Sequence, residues 1–228
     1  MADSTDQPTI PTLYHLTSSQ SFPVLVALEE AAALRSKGLE YELKVYQRNG
    51  GAAPGEFKKV FPLGKSPIMT VRPVDGKGEE EVLTESRLLI QYISDIYANG
   101  EWVPTSAEDK KRDLYFQEFV KSTLLMKADF CVIFDAIPSM SPFGIRQFFR
   151  LVFSPLMNIF GKDLAAIYQY MEDNLSESKP WLSGEKFGLA DLNAIFPMDI
   201  VVQKSFSWDA SKYPKLAKWH KAVMERDA

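Results

Sequence analysis

Cysteine is nearly absent from this chain: Cys131 is the only one among 228 residues. A single thiol excludes an internal disulfide and any cysteine-cluster metal site. Its setting, Phe130-Cys131-Val132-Ile133-Phe134, is apolar, so a buried and inert thiol is expected. Histidine is almost as scarce. His15 and His220 stand far apart without neighbours of ligand type, so neither a metal site nor a histidine-based catalytic site is indicated. Positive charge is not in excess: the formal net charge is −4, which offers no basic footprint to nucleic acid or an anionic membrane. No run of about 18 apolar residues occurs, so stable membrane insertion is not expected. The opening Met1-Ala2-Asp3-Ser4-Thr5-Asp6 is polar and acidic, unlike a signal peptide, and the cytoplasm is the default location.

What remains is ordinary globular composition, 46% hydrophobic and 25% charged, at a length that fits one large or two small domains. Residues 1–10 read as a disordered leader. Thr12 to Leu16 reads as a short strand and Thr17 to Ser21 as the turn after it. Proline at 23 suits a first helical turn, and Val24, Leu28 and Ala31 continue it as an apolar stripe that Gly38 ends. Tyr41 to Tyr46 predicts a second strand, 49–55 a loop and 56–60 a short helix. Pro67 opens a third strand through Ile68, Met69 and Val71, with Val82-Leu83 as its partner across a turn at Asp75-Gly76-Lys77-Gly78. A helix follows Ser86, with Leu89, Ile93 and Ile96 inward. This order is that of a thioredoxin-like α/β domain.

Asn99-Gly100 to Pro104-Thr105 breaks the pattern and marks the boundary, giving domains 1–100 and 106–228. The second domain carries helical periodicity alone, from Leu114 to Ile137 and from Pro142 to Leu175, with Pro138, Ser141-Pro142 and Ser154-Pro155 as punctuation. Asp109 to Asp113 reads as the wet face of its first helix. Leu189 to Gln203 is apolar all round, hence central. Lys215 to Glu225 is the last helix. Gly188 and Asp191 form half a capping box at the start of the central helix, a folding device rather than a chemical one. The fold class is therefore α/β plus all-α.

Thr84, Glu85 and Ser86 lie where a strand gives way to a helix. The N–H groups of that first turn lack partners inside the helix and carry partial positive charge. A ligand carboxylate would find donors there, Ser86 adds a hydroxyl, and Glu85 suits a ligand ammonium. A strand edge beside such a pocket fits something like a peptide.

These residues, Lys65-Ser66-Pro67 followed by Glu85-Ser86 within the wider Tyr41 to Ser86 phrasing, resemble the glutathione-binding signature of glutathione transferases, and most closely a fungal subgroup. The resemblance implies a cis Pro67, a backbone pairing of Ser66 with the cysteinyl part of glutathione, and γ-glutamyl recognition by Glu85 and Ser86. Lys65 would reach the glycyl carboxylate. Glutathione is then the co-substrate, no metal is required, and a homodimer is implied.

Such enzymes sharpen a thiol as a nucleophile. A free thiol of pKa ~8.5 is about 3% thiolate near neutrality; lowering it by ~2 units gives roughly 75%, worth ~2.7 kcal/mol. Two hydroxyls stand in the right segment. Ser19 matches the serine of serine-type members, and Tyr14 has the spacing of tyrosine-type members; the resemblance favours Ser19. Pro23 replaces a basic residue of the family pattern, so Phe22-Pro23 removes charge and adds apolar bulk, suggesting a pocket remodelled for an apolar substrate. The expected acceptor pocket uses Phe22, Phe116, Phe119, Met126 and Phe149. Ser141 to Phe160 carries five phenylalanines and reads as a substrate lid or a dimer contact. The expected activity is addition of the glutathione thiolate to an electrophilic, largely apolar small molecule. Glutathione-assisted cis–trans isomerisation of an activated C=C bond, as in specialised secondary metabolism, and a non-catalytic binding module are the alternatives.

Overall fold

A computed structural model describes residues 7–48 and 52–226. Residues 1–6 of the expected leader and 49–51 of the expected loop lie outside the described residues. The chain divides into two compact units, one reaching Pro104 and the other beginning at Thr105.

The first unit contains strands β1 (Thr9–Leu16), β2 (Glu42–Tyr46), β3 (Ile68–Pro73) and β4 (Glu81–Thr84), with helices α1 (Phe22–Ala33), α2 (Phe57–Val60) and α3 (Ser86–Ile96). The sheet runs β2-β1-β3-β4; β1 pairs parallel with β2, and β3 is antiparallel to both β1 and β4. The crossover through α1 makes the parallel pair, since a parallel connection needs a dozen or more residues. Strand β1 starts at Thr9, earlier than expected: Thr9 and Ile10 pair with Pro73 and Arg72, so residues 9–10 belong to the sheet. Helix α1 stops at Ala33, short of Gly38, which instead takes φ +71 in the turn after it. Leu13, Val24, Leu28, Met69, Leu89, Ile90 and Ile93 are fully buried, while Ile96 is only half-buried.

The second unit contains α4 (Ala107–Glu118), a π-helical segment (Phe119–Leu124), α5 (Leu125–Met140), α6 (Phe143–Asn174), α7 (Leu189–Lys204) and α8 (Pro214–Met224). Pro138 and Pro155 do not break helices as expected but lie inside α5 and α6. Pro138 falls in the last turn of α5, two residues before its end. Pro155 is carried by ring packing on either side of it, Phe153 and Phe160 against Phe134. Helix α7 is central, with Leu189 to Ile195 buried without a break. Asp113 overturns the reading of 109–113 as a wet face. It is 4% exposed and accepts hydrogen bonds from Ser183 Oγ (2.6 Å), the Ala190 N–H (2.9 Å) and Gln117 Nε2 (2.7 Å). The helical period explains it, because Asp113 shares a face with Phe116 and Gln117, both buried.

Asp191 does more than half a capping box. It is fully buried and accepts from the N–H groups of Gly188 (3.0 Å), Leu182 (2.8 Å) and Ser183 (3.2 Å) and from Trp219 Nε1 (2.7 Å). Burial pushes its carboxyl up, and these donors pull it back.

Candidate functional site

The turn between β1 and α1 is fixed at both ends. The Thr17 N–H donates to the Tyr46 carbonyl (3.0 Å), Arg48 Nη2 donates to the Ser18 carbonyl (2.8 Å), and the Phe22 N–H donates to the Ser19 carbonyl (3.0 Å). Ser18 takes φ +51 to close the turn. Ser19 and Gln20 are thereby held side by side, and each reaches a different part of the sequence-predicted site.

Ser19 is 4% exposed, and its Oγ lies 3.0 Å from Ser66 Oγ. Ser66 precedes Pro67 across a cis peptide bond, at the entry to β3. Gln20 Oε1 accepts from Ser86 Oγ (3.3 Å) at the first residue of α3. One short turn thus joins the two stretches, 66–67 and 85–86, that the sequence sets apart. Glu85 is exposed, caps α3 without a side-chain hydrogen bond, and takes φ +70. A left-handed non-glycine costs about 1–3 kcal/mol, and such residues cluster at ligand clamps. Lys65, the residue before Ser66, is exposed.

Tyr14 sits elsewhere. Its ring stacks on Tyr46 (6.3 Å) and meets Phe57 edge-on (6.4 Å), packed on Leu16, Phe57 and Ile68. Its hydroxyl accepts from Lys44 Nζ at 3.3 Å. Side chains alternate across a strand, so Tyr14 and His15 point to opposite faces of the sheet. His15 was set aside on sequence, yet its Nδ1 lies 3.0 Å from Ser21 Oγ, and Ser21 Oγ lies 2.8 Å from Ser19 Oγ. Burial holds the His15 imidazole below its usual range, with a hydrogen bond to the Ser21 backbone opposing. The spacing 15-19-21 around a turn was the signal for this contact, but only a fixed turn geometry makes it legible. The Ser66 side chain was likewise missed, because backbone pairing was the role expected of it.

Of the expected pocket residues, Phe22 lies in the first unit and the other four in the second. Phe22 is half-buried at the start of α1. Phe116, 1% exposed, and Phe119 join Tyr115 and Tyr170 in one ring cluster, so Phe116 is core. Met126 lines a groove of about 350 Å³ along α5 with Phe130 and Ile133. Phe149 stacks on Phe153 at 5.7 Å instead. Among the described residues, no group of three or more His, Cys, Asp or Glu side chains is placed to hold a metal, and no helix is long and apolar enough to cross a membrane.

A mixed four-stranded unit with a cis-proline before β3, followed by an all-helical unit, defines the architecture of glutathione transferases. The family models agree. Residues 17–96 match the glutathione S-transferase N-terminal domain and 161–227 the C-terminal domain, and the chain belongs to the glutathione S-transferase family. It is 24% identical to glutathione S-transferase 1 of Saccharomyces cerevisiae, over 95% of this chain and 91% of that protein. It is 26% identical to the disulfide-bond oxidoreductase YfcG of Escherichia coli, again over 95% and 91%. Among solved structures, it resembles glutathione transferase URE2P8 of Phanerochaete chrysosporium with oxidized glutathione. The TM-score is 0.69 at 22% identity, covering 98% of this chain and 92% of that one.

Proposed function

We propose that this protein binds glutathione along the β3 entry and uses its thiolate to attack an electrophilic, largely apolar small molecule. The supporting observation is the turn at Ser19-Gln20, which touches Ser66 on one side and Ser86 on the other. In the proposed pose the backbone at Ser66 pairs with the cysteinyl unit. Glu85 and the first turn of α3 take the ammonium and carboxylate of the γ-glutamyl end, and Lys65 faces the glycyl carboxylate. The sulfur then lies at Ser19, whose hydroxyl donates to the thiolate. With an aryl halide the sulfur–carbon bond forms and halide leaves.

The family context makes a homodimer part of the proposal. A surface supports it. Met126, Phe130, Ile133, Ile137 and Met140 on α5 are all exposed at alternating spacings of four and three, and α6 continues with Ile145, Phe148, Val152, Leu156 and Ile159. Such spacing makes an apolar stripe suited to another helix.

The test is an incubation with glutathione and a generic aryl halide, read by product mass. A gain corresponding to glutathione supports conjugation. An unchanged mass with a moved double-bond geometry, using an activated alkene, would select isomerisation; a mixed disulfide would select thiol–disulfide exchange, the chemistry named for the Escherichia coli relative. Ser19→Ala is expected to lower kcat about a hundredfold, as removal of a donor to developing negative charge does elsewhere. Glutathione binding with no reaction of any of these kinds would leave a binding module.

A further inference from the structure

The hydroxyl chain at Ser19 does not stop there. It runs inward through Ser21, whose Oγ lies 2.8 Å from Ser19 Oγ, to His15 Nδ1 at 3.0 Å. We propose that His15 is the positioning residue and proton store of the thiol site: through Ser21 and Ser19 it takes the proton that the glutathione thiol gives up, and so turns both hydroxyls to donate toward the sulfur. The inference rests on the glutathione chemistry proposed at Ser19.

Donor counting makes the two states distinct. Each serine hydroxyl carries one proton and two acceptor positions. Ser21 Oγ accepts from the Leu16 N–H (3.1 Å), and Ser19 Oγ accepts from the Ser21 N–H (3.2 Å), in both states. Before deprotonation His15 Nδ1 is bare. Ser21 turns its one proton to Nδ1 at 3.0 Å rather than to the Leu16 carbonyl at 3.2 Å, Ser19 donates to Ser21, and the last acceptor position of Ser19 is left for the thiol; the Ser66 contact gives way to sulfur. Then the S–H bond breaks and its proton passes to Ser19 Oγ. The proton of Ser19 moves to Ser21 Oγ, and that of Ser21 to Nδ1. No electrons change owner: a neutral thiol and a neutral imidazole become a thiolate and an imidazolium. The chain now points outward, from Nδ1–H to Ser21, from Ser21 to Ser19 and from Ser19 to the thiolate, ending in a charge-assisted hydrogen bond.

The surroundings suit a store that fills only when the thiol empties. Burial keeps the imidazole below its usual range, so near neutrality the ring is neutral, and the proposal takes the Nε2–H tautomer, in which Nδ1 is free to accept. Strand β1 packs on β2, β3 and α1. The residue opposite His15 on β2 is Val45, while Glu42 pairs with Arg72 of β3 at 2.9 Å and Lys44 donates to Tyr14. The first turn of α1 carries no acidic residue; Glu29 and Glu30 lie toward its far end. Arg48 is bonded to the Ser18 carbonyl. Among the described residues the ring's hydrogen-bond partner is Ser21, so the countercharge for the imidazolium is the thiolate itself.

The test compares wild type with His15→Gln, following the ultraviolet difference band of bound thiolate against pH, with glutathione affinity by calorimetry. The expected result is a Kd within about twofold below the wild-type midpoint, a thiolate midpoint raised by about one unit, and kcat lowered about tenfold between the two midpoints. A His15→Gln midpoint equal to that of wild type overturns the inference while leaving glutathione chemistry intact. Absence of a thiolate band in wild type at any pH overturns the parent reading and this one with it. A second measurement needs no variant: wild-type calorimetry in buffers of different ionisation heat, at a pH where the band has reached its plateau and free glutathione is still a thiol. Release of clearly less than one proton per glutathione supports storage, and release of one full proton overturns it.

Discussion

At the start of α7, Asp191 and Asp113 accept the N–H groups of Gly188 and Ala190, and both carboxylates are buried beneath the loop that carries Leu182 and Ser183. At the start of α3, Glu85 is exposed, makes no cap bond and holds a left-handed backbone, while Ser86 meets Gln20 through its side chain. The two helix starts face the same physical problem, four orphan donors and a positive dipole end, and resolve it oppositely. The second unit closes its helix start with its own acids, and the energy goes into folding. On the proposed reading, the first unit leaves its start to be completed by glutathione, and the energy would become available to binding.

Asp191→Ala is the strongest way to break that contrast. It orphans four buried donors, so urea denaturation should show a loss of about 3 kcal/mol or more. A loss below about 1 kcal/mol would mean the α7 start is not held as described. The paired change Glu85→Ala with Ser86→Ala should act in the other currency. Glutathione Kd is expected to rise at least about tenfold, ~1.4 kcal/mol, with the thermal midpoint nearly unchanged. A double variant that loses stability and keeps affinity would exchange the two roles. The smallest effect is a pH slope. Burial lowers the pKa of His220 from 6.5, Asp199 opposing, and its Nε2 has no hydrogen-bond partner among the described residues. The unfolded chain therefore binds this proton more tightly than the folded one, so stability is full above about pH 6.5 and falls as pH drops below it. His220→Gln should flatten that slope, read as thermal midpoint against pH; an unchanged slope would move its origin elsewhere.

Much of the fold was legible because its elements carry strong local signals. Pro23 placed α1, the Ile68-Met69-Val71 run placed β3, and the apolar circumference of Leu189 to Gln203 placed α7 at the centre. The elements that carry the proposed binding half, a strand entry and a helix start, were legible for a related reason, since such places generate donors by backbone geometry alone. What escaped was side-chain contact across a turn. His15, Ser19, Ser21 and Ser66 meet only when the backbone bends at Ser18, and no periodicity records that bend. Asp113 escaped because a charge inside a charged run looks solvated until its partners, Ser183 and Ala190, arrive from some 70 residues away. Pro138 and Pro155 misled in the opposite sense, as breakers overruled by packing.

The lone cysteine has a consequence under the proposed chemistry. Cys131 is 1% exposed, and burial pushes its thiol up to about 11 despite the nearby Lys127. A thiol so placed holds almost no thiolate under physiological conditions, and the thiolate is what soft alkylating agents seek. Repeated turnover of reactive carbon compounds would therefore leave that cysteine unmodified. Covalent labels aimed at sulfur would report on the bound tripeptide rather than on the protein that carries it.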